Sequence, residues 1–426
     1  MTIIIDEKES IYMYELVKNI INEIGPRMSC SAQELKAALV LKDEFEKNCD
    51  ETELEPFTCS PVAFLGWTKL ISIAILISFI IYFISIFIHS HVGSLILATL
   101  SFFLIFISLL IIWEESFNYR EFIDNLFKKK ESQNIIGKFR NDEKINKILI
   151  FSGHVDTALE FNLLRWLGWA SLPLLFGALI ISIMWLIISF LNLIFLLIGF
   201  TSISSLFLNF NIWLFIVAIP CFISVFLFIP FGNKGNVVPG AVDNLSSCSV
   251  LVGLSRYINK NREIIPRNIE IRLIIFGCEE CGLRGAFRYV EKYLSELKKY
   301  DTLVLNMDGL ETPDKFNAIE YEPTTKTRHS EEVIEKIIKA AKQENIKIGR
   351  LGGGKKEKLI GKLSGGSDAA AFSKAGIKAG FLNSADWKTR SSYYHQRSDT
   401  PDKIKNGTLE NALKICIRFI INESNV

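Results

Sequence analysis

Charged side chains are missing from two long stretches of a chain that elsewhere carries many of them. No Asp, Glu, Lys or Arg occurs from Leu70 to Trp113, or between Arg165 and Lys234. The first stretch divides at His89–Ser94 into two segments of about 20 residues, the length that a helix needs to cross a bilayer core. The second stretch predicts two long helices, roughly 168–200 and 208–231. Core helices of a soluble domain normally keep one polar face, so the pattern predicts two transmembrane hairpins in a lipid bilayer.

A large excess of either charge is also absent. Lys and Arg number 48 against 46 Asp and Glu, so nothing predicts a nucleic-acid partner. The first residues, Met1–Lys8, form too short an apolar run and turn acidic too soon for a signal peptide. Eight scattered cysteines are typical of reduced thiols in a cytosolic compartment. Only Cys278 and Cys281 form a Cys-x-x-Cys pair, and a zinc ribbon needs a second one.

Outside the uncharged stretches, strand patterns alternate with amphipathic helix patterns. Such alternation predicts an α/β fold with a mixed, mostly parallel central sheet and helices on both faces. Ligands of such sheets bind at the carboxyl ends of the strands. Strands are predicted at about 134–140, 147–151, 269–276 and 302–307.

Glu279 and Glu280 form an adjacent pair just after the strongly apolar strand Ile269–Phe276. Adjacent carboxylates repel each other, so the pair favours a metal ion that takes up the charge, or an acid–base role for one member. The alternative is a solvated pair at the start of a helix. Asp308 follows another predicted strand in the same way, and we expect these carboxylates to meet at one edge of the sheet.

His154 and His395 each have a carboxylate close by in the sequence. His154 is followed by Asp156, and His395 is followed by Asp399. A carboxylate beside a histidine commonly fixes the orientation of a metal-ligating imidazole. Together with Asp243 and the strand-end carboxylates, these histidines favour a metal site.

The motifs resemble those of the zinc-dependent aminopeptidase family, which also includes glutamate carboxypeptidase and glutaminyl cyclase. The resemblance covers about 6–60, 132–159 and 234–426, and it implies a zinc exopeptidase-like fold. The matching motifs are His154-Val155-Asp156, Pro239–Asn244, Glu279–Gly285, Asn306–Asp308, Ser367-Asp368 and His395 with Asp399–Asp402.

The resemblance implies two zinc ions per chain and a ligand role for five residues. His154 and Asp308 would bind one zinc ion, and Glu280 and His395 would bind the other. Asp243 would bridge the two ions. Mixed imidazole and carboxylate sites also accept manganese or cobalt, so the sequence leaves the metal in vivo open.

Three further residues receive catalytic roles from the same resemblance. Glu279 would be the general base that takes a proton from a metal-activated water and passes it to the leaving amine. Asp156 would orient His154. Tyr394 would hold the developing oxyanion, although an aromatic wall of the cleft is an equally good interpretation.

The chain departs from the family pattern in two ways that matter. Ala369–Phe372 follow Ser367-Asp368 where relatives often place a histidine or a bulky residue, so the side-chain preference for substrate is open. The interval between His154 and Asp243 is also far longer than the short loop that relatives need. Removing the second uncharged stretch restores ordinary spacing, which favours a membrane insertion into an intact catalytic domain.

We therefore expect a multipass, membrane-anchored zinc metallopeptidase, an aminopeptidase acting on peptides with a free N-terminus. A glutaminyl cyclase-like acyltransferase with one zinc ion is one alternative, and a non-catalytic membrane adaptor that keeps the fold is another. The oligomeric state is open. The expected division is a catalytic domain of 1–64, 114–165 and 234–426, with hairpins at 65–113 and 166–233.

Basic residues flank the uncharged stretches only on the side of the expected catalytic domain, for example at Lys69, Arg165 and Lys234. Both predicted hairpin tips carry none. Cytoplasmic loops are enriched in Lys and Arg, so the pattern predicts a multipass cell-membrane protein with its catalytic domain in the cytoplasm.

Overall fold

The computed structural model describes residues 3–140, 144–199, 208–352, 366–386 and 388–424. The chain divides into two compact units. Unit 1 comprises Met1–Pro61, Lys128–Glu160 and Asn233–Val426, and unit 2 comprises Val62–Phe127 and Phe161–Gly232.

Residues 114–127, expected in the catalytic domain, lie in unit 2. The Tyr119 ring contacts Phe64 at 5.1 Å between centroids, and Ile123 packs into the apolar core of unit 2. The five-segment division itself stays a prediction.

Unit 1 is built on an eight-stranded mixed sheet with the strand order β1-β2-β4-β3-β5-β10-β6-β9. The central strands β4, β3, β5 and β10 are parallel neighbours, whereas β1 and β2 add antiparallel strands at one side. The predicted mixed, mostly parallel α/β fold is confirmed. The strands of the large sheet are β1 Glu51–Cys59, β2 Lys130–Phe139, β3 Lys147–His154, β4 Ile269–Phe276, β5 Asp301–Met307, β6 Phe316–Ile319, β9 Ile348–Leu351 and β10 Lys378–Asn383, and a small hairpin contains β7 Tyr321–Glu322 and β8 Thr327–Arg328.

Helices cover both faces of this sheet because alternate residues of each strand point to opposite sides. In β3, Leu149 and Phe151 belong to one apolar core, and Ile148 and Ile150 belong to the other. All of β4 is buried, as expected for a strand covered on both faces. The helices of unit 1 are α1 Glu7–Glu23, α2 Ala32–Glu46, α8 Ser246–Lys260, α9 Arg284–Lys299, α10 Glu331–Gln343, α11 Ala369–Lys374 and α12 Thr408–Ser424.

Unit 2 is helical, and four of its helical segments in the described residues are long and apolar enough to cross a membrane. Its interior holds small polar contacts: Trp185 Nε1 donates to Ser78 Oγ at 3.0 Å, and Asn211 Nδ2 donates to the Tyr82 hydroxyl at 2.7 Å. The predicted break near 201–205 lies outside the described residues. The helices are α3 Ala63–Phe87, α4 His91–Ile111, α5 Asn162–Leu167, α6 Leu172–Leu197 and α7 Leu208–Leu227.

Gly285, in the first turn of α9, packs closely against the loop that follows β4. A Cβ atom on Gly285 would lie 2.3 Å from the Gly277 carbonyl oxygen and 2.5 Å from Asn134 Oδ1. We expect Gly285→Ala to lower the free energy of unfolding by about 1–3 kcal/mol because the backbone must shift. Glu291→Ala, on the same helix with a side chain 77% exposed, is the control and should change stability by less than about 0.5 kcal/mol. Equal unfolding midpoints for the two variants would contradict this packing.

Candidate metal centre

Three parallel strands end at the same edge of the sheet and deliver most of the predicted site. His154 is the last residue of β3 and is paired in register with Phe276, the last residue of β4. The pair Glu279 and Glu280 follows β4 directly, and Asp308 follows β5. Because these parallel strands end at the same edge of the sheet, His154, the glutamate pair and Asp308 become neighbours although they are far apart in the sequence.

The first group of side chains surrounds the Nε2 atom of His154. This atom lies 3.3 Å from Asp243 Oδ1, 3.8 Å from Glu279 Oε2 and 3.9 Å from Asp308 Oδ1. His154 is 1% exposed, so these carboxylates face it inside the protein.

The second group surrounds the Nε2 atom of His395. It lies 3.3 Å from Asp243 Oδ2 and 3.4 Å from Glu280 Oε1. Asp243 therefore presents one oxygen to His154 and the other to His395. The structure brings all five predicted ligands together.

The separations suit metal coordination. Nitrogen and oxygen ligands about 2.0–2.1 Å from a tetrahedral ion stand about 3.3 Å from one another. The buried atoms His154 Nε2 and Glu280 Oε1 have no hydrogen-bond partner within the described parts of the chain, although buried polar atoms nearly always have one. The residues present therefore fit divalent metal ions.

Negative charge dominates this site. Burial raises the pKa of Glu279 well above its usual range, and repulsion from Glu280 adds to the effect despite the opposing charge of His154. Burial, followed by the charge of Asp243, raises the pKa of Asp308 to about 7. For Asp243 itself burial acts in the same direction, but the two imidazoles outweigh it and hold its pKa below the usual range. Bound cations would relieve this repulsion.

Asp156 connects the histidine to the glutamate pair. Its carboxylate accepts the backbone N–H of Glu279 at 3.0 Å, the backbone N–H of Glu280 at 3.1 Å and the hydroxyl of Ser29 at 2.6 Å. The Nδ1 atom of His154 lies 3.5 Å from Asp156 Oδ1 and 3.2 Å from its carbonyl oxygen. Asp156 therefore lies where it can orient both the imidazole and the carboxylates.

Arg27 is a fully buried residue that sequence reasoning missed. Its guanidinium donates to the carbonyl oxygens of Val155 at 2.9 Å, Pro239 at 2.8 Å and Gly240 at 3.0 Å. It thus ties the chain after His154 to the turn before Asp243. The sequence shows Arg27 only as part of a break between two helices, with no motif around it.

Two carboxylates hold the loops that carry the ligands. Asp399 accepts the backbone N–H groups of Val242 at 2.9 Å and Asp243 at 3.1 Å. Glu311 accepts the Tyr393 hydroxyl at 2.7 Å and the Asp386 N–H at 2.6 Å. The sequence suggested Asp399 as the carboxylate that orients His395, whereas the partners seen here are the backbone N–H groups of Val242 and Asp243. Glu311 carried no signal in the sequence.

Tyr394 lies beside the centre. Its ring is 4.0 Å from the His395 ring, and the guanidinium of Arg390 lies 4.2 Å from the Tyr394 ring centroid. Burial raises the pKa of the Tyr394 hydroxyl well above its usual range, against the lowering effect of Arg390. Sequence reasoning missed Arg390, the cation that stacks on this tyrosine.

Asp368, from the Ser367-Asp368 motif, is a further buried carboxylate. Neither of its oxygens has a hydrogen-bond partner among the described residues, and its charge helps to raise the pKa of Glu279. Glu322 fixes the preceding residue by accepting the Ser367 N–H at 3.1 Å. His329, unassigned from the sequence, contacts Glu322 through Nε2 at 2.9 Å.

Solved structures of known proteins share this fold. The chain aligns with the zinc aminopeptidase BSAP of Bacillus subtilis with a TM-score of 0.53 and 16% identity, over 97% of this chain and 95% of that one. A glutaminyl cyclase of Fimbriiglobus ruber aligns with a TM-score of 0.52 and 12% identity, over 99% and 96% of the two chains. These likenesses define the class: an α/β protein with the zinc exopeptidase fold.

Sequence comparison then gives the family. Residues 229–420 match the model of Peptidase family M28. A segment of 176 residues is 31% identical to Aminopeptidase YwaD of Bacillus subtilis, covering 41% of this chain and 35% of that protein. The chain thus spans only about a third of that relative in the match. The predicted resemblance to the zinc-dependent aminopeptidase family is thus confirmed through the match of residues 229–420 to peptidase family M28.

Metal-free protein is expected to lose stability as the pH rises. The folded Asp308 carboxyl, with its pKa raised from 3.8 to about 7, keeps a proton that the unfolded chain releases at lower pH. Its contribution to stability is therefore present at low pH and is lost as the pH rises through about 7. Thermal unfolding with chelator and with zinc should show that zinc stabilises the protein more at pH of about 8 than of about 5.

Asp308→Asn is the matched variant for this measurement. It removes the titrating carboxyl, so its metal-free form should depend less on pH over the same range. A metal-free wild-type protein whose unfolding midpoint rises steadily with pH would contradict the charge balance described for the site.

Proposed function

We propose that this chain is a zinc metallo-exopeptidase, an aminopeptidase that removes one residue from the free amino end of a peptide. The observation that carries the proposal is the position of Asp243, with one oxygen 3.3 Å from His154 and the other 3.3 Å from His395. A carboxylate placed in this way bridges two ligand groups. We assign His154 and Asp308 to one zinc ion, and Glu280 and His395 to the other.

Glu279 is the general base in this proposal. When bound, zinc supplies positive charge that polarises a carbonyl group and makes a water molecule more acidic. Glu279 accepts the proton of the attacking water and donates it to the leaving amine.

Asp156 supports the division of labour between the two glutamates. By accepting the N–H groups of both residues, it fixes the backbone from which their side chains diverge. Glu280 then faces His395 at 3.4 Å, whereas Glu279 faces His154 at 3.8 Å. The two carboxylates are thus directed to different histidines, which supports different roles for them.

Tyr394 is assigned to the oxyanion. Its hydroxyl is kept protonated by burial, so it donates a hydrogen bond to the oxygen that gains charge in the transition state. The Arg390 guanidinium stacks on the tyrosine ring and holds it beside His395.

A glutaminyl cyclase-like acyltransferase with one zinc ion is the rival within the same fold, since a glutaminyl cyclase shares the fold. The bridging position of Asp243 favours two ions. All five proposed ligands are present, which disfavours a non-catalytic adaptor. One carboxylate–imidazole zinc ion per chain would favour the cyclase.

Replacing the proposed base tests the enzymatic function. We expect Glu279→Gln to lower kcat on peptide substrates by about 10²–10⁴-fold, the usual contribution of a general base. Its bound zinc and its thermal unfolding should match the wild type. Glu291→Gln, an exposed glutamate on α9, is the control and should keep full activity. Unchanged turnover in Glu279→Gln would exclude the assigned role, and unchanged cellular function with turnover lost would favour the adaptor.

We also propose that unit 2 anchors the enzyme in the cell membrane. Four helical segments that are long and apolar enough to cross a membrane support this. Many of their polar side chains lie inside the helix bundle, and many of their apolar side chains lie on its surface. Serines such as Ser78 and Ser101 are buried and share a hydrogen bond, whereas Ile73 and Ile80 are 49% exposed. Small polar residues between helices and apolar residues outside are typical of membrane helix bundles.

The proposed orientation places unit 1 in the cytoplasm. The flanking residues Lys69, Arg165 and Lys234 support it through the preference of cytoplasmic segments for positive charge. Reporter domains inserted at 89–94 and at 201–205 should give signals from the outside only, and a reporter at the C-terminus should give a cytoplasmic signal. A cytoplasmic signal from both insertions would overturn this orientation.

A further inference from the structure

Four of the eight cysteines converge in unit 1 although they are far apart in the sequence. Cys30 precedes α2, Cys59 ends β1, and Cys278 and Cys281 lie in the loop after β4. The Sγ atom of Cys59 is 3.4 Å from that of Cys30, 3.5 Å from that of Cys278 and 3.9 Å from that of Cys281. The Sγ atoms of Cys30 and Cys278 are 3.3 Å apart.

These separations fit a shared ion better than a covalent bond. A disulfide needs its sulfur atoms about 2.05 Å apart, and all of these cysteines are free. Four sulfur atoms about 2.3 Å from a tetrahedral zinc ion stand about 3.8 Å from one another. The four distances given lie near this value. The Sγ atoms of Cys30, Cys59 and Cys278 all lie within 4.8 Å of one another, and Cys281 approaches this group through Cys59, so movement of the Cys281 side chain would complete the tetrahedron.

Two of the cysteines adopt the left-handed backbone conformation. Cys30 has φ of 58° and Cys278 has φ of 55°, a region that residues other than glycine seldom adopt. His395, a proposed zinc ligand, shares the feature with φ of 51°. Such conformations cluster at sites where the direction of a side chain matters.

We propose that Cys30, Cys59, Cys278 and Cys281 bind one structural zinc ion as thiolates. This site is separate from the carboxylate–imidazole centre, which is the proposed zinc site formed by His154, Asp243, Glu280, Asp308 and His395. The ion displaces the four thiol protons to the solvent. Four thiolates in tetrahedral array select zinc among the common divalent ions. The second Cys-x-x-Cys pair that the sequence lacks is replaced by Cys30 and Cys59, which come from separate elements.

Glu34 supports this arrangement from the first turn of α2. Its carboxylate accepts the backbone N–H of Cys30 at 2.8 Å, the backbone N–H of Cys278 at 3.0 Å and the Ser132 hydroxyl at 3.0 Å. The Cys278 Sγ atom is 3.7 Å from this carboxylate. Glu34 thus fixes two of the cysteine peptides without depending on a thiol proton.

The consequence for the enzyme lies in Glu279 and Glu280, which stand between two of the proposed ligands. An ion bound by Cys278 and Cys281 would fix the residues on either side of the glutamate pair. Asp156 accepts the backbone N–H groups of Glu279 and Glu280 themselves. The thiolate zinc therefore positions the glutamate pair without touching the substrate.

Cobalt substitution of the full-length protein tests the site directly. Thiolate ligands give cobalt a strong charge-transfer absorption in the near ultraviolet, whereas carboxylate and imidazole ligands do not. We expect this band in the wild type and in His395→Ala, which damages only the other centre. It should be lost in Cys59→Ala and kept in Cys416→Ala, a fully buried cysteine outside the cluster.

Zinc analysis of the same proteins provides the second readout. Cys59→Ala should contain one zinc ion fewer per chain than Cys416→Ala, and its unfolding midpoint should fall further. If Cys59→Ala fails to fold, the same two measurements on Cys30→Ala, which changes the partly exposed member of the cluster, decide: the band should be lost and one zinc ion fewer should be bound. A wild type without the band, or a disulfide among these cysteines under non-reducing mass analysis, would overturn the proposal. Either result leaves the aminopeptidase proposal standing, since Glu279→Gln tests that separately.

Discussion

Repulsion between buried carboxylates at one edge of the sheet is the constraint on which the rest of unit 1 depends. Glu279, Glu280, Asp243 and Asp308 lie within a few ångströms of two imidazoles. Burial, with repulsion from the neighbouring carboxylates, raises the pKa of Glu279, Glu280 and Asp308. Without cations such a cluster is costly to keep ionised. The same repulsion that destabilises a metal-free fold gives the site its affinity for divalent ions, so stability and proposed activity have one electrostatic origin.

Holding such groups in place requires a rigid frame, and the frame is made of polar contacts to the backbone. Arg27 ties the chain after β3 to the turn before Asp243, and Asp399 holds the N–H group of Asp243 itself. Asp156 does the same for the glutamate pair. In each contact a buried charged side chain forms hydrogen bonds with backbone carbonyl or N–H groups. Such charge-assisted hydrogen bonds are stronger than neutral ones, so they hold the backbone firmly.

The proposed thiolate site extends this frame to the far side of the glutamate pair. Its ligands come from the segment before α2, from β1 and from the loop after β4, so one ion would connect the loop that carries Glu279 and Glu280 to β1 and to the start of α2. Reduced thiols are required, which agrees with the proposed cytoplasmic position of unit 1. In the proposed enzyme, the loop after β4 would supply ligands both to a thiolate zinc site and to the carboxylate–imidazole centre.

The local features of this protein could be predicted from its amino-acid sequence. Apolar strand patterns followed by His154, Glu279 and Asp308 predicted the α/β sheet and one edge of the site, because the position of a residue after a strand follows from its neighbours in the chain. The motif resemblance supplied Asp243 and His395. The contact of Arg27 with Gly240 and the contact of Cys30 with Cys278 are visible only in the folded protein. Neither pair shows a motif, since contacts between distant segments arise only when helices and strands pack, and a single sequence carries no periodic signal for them.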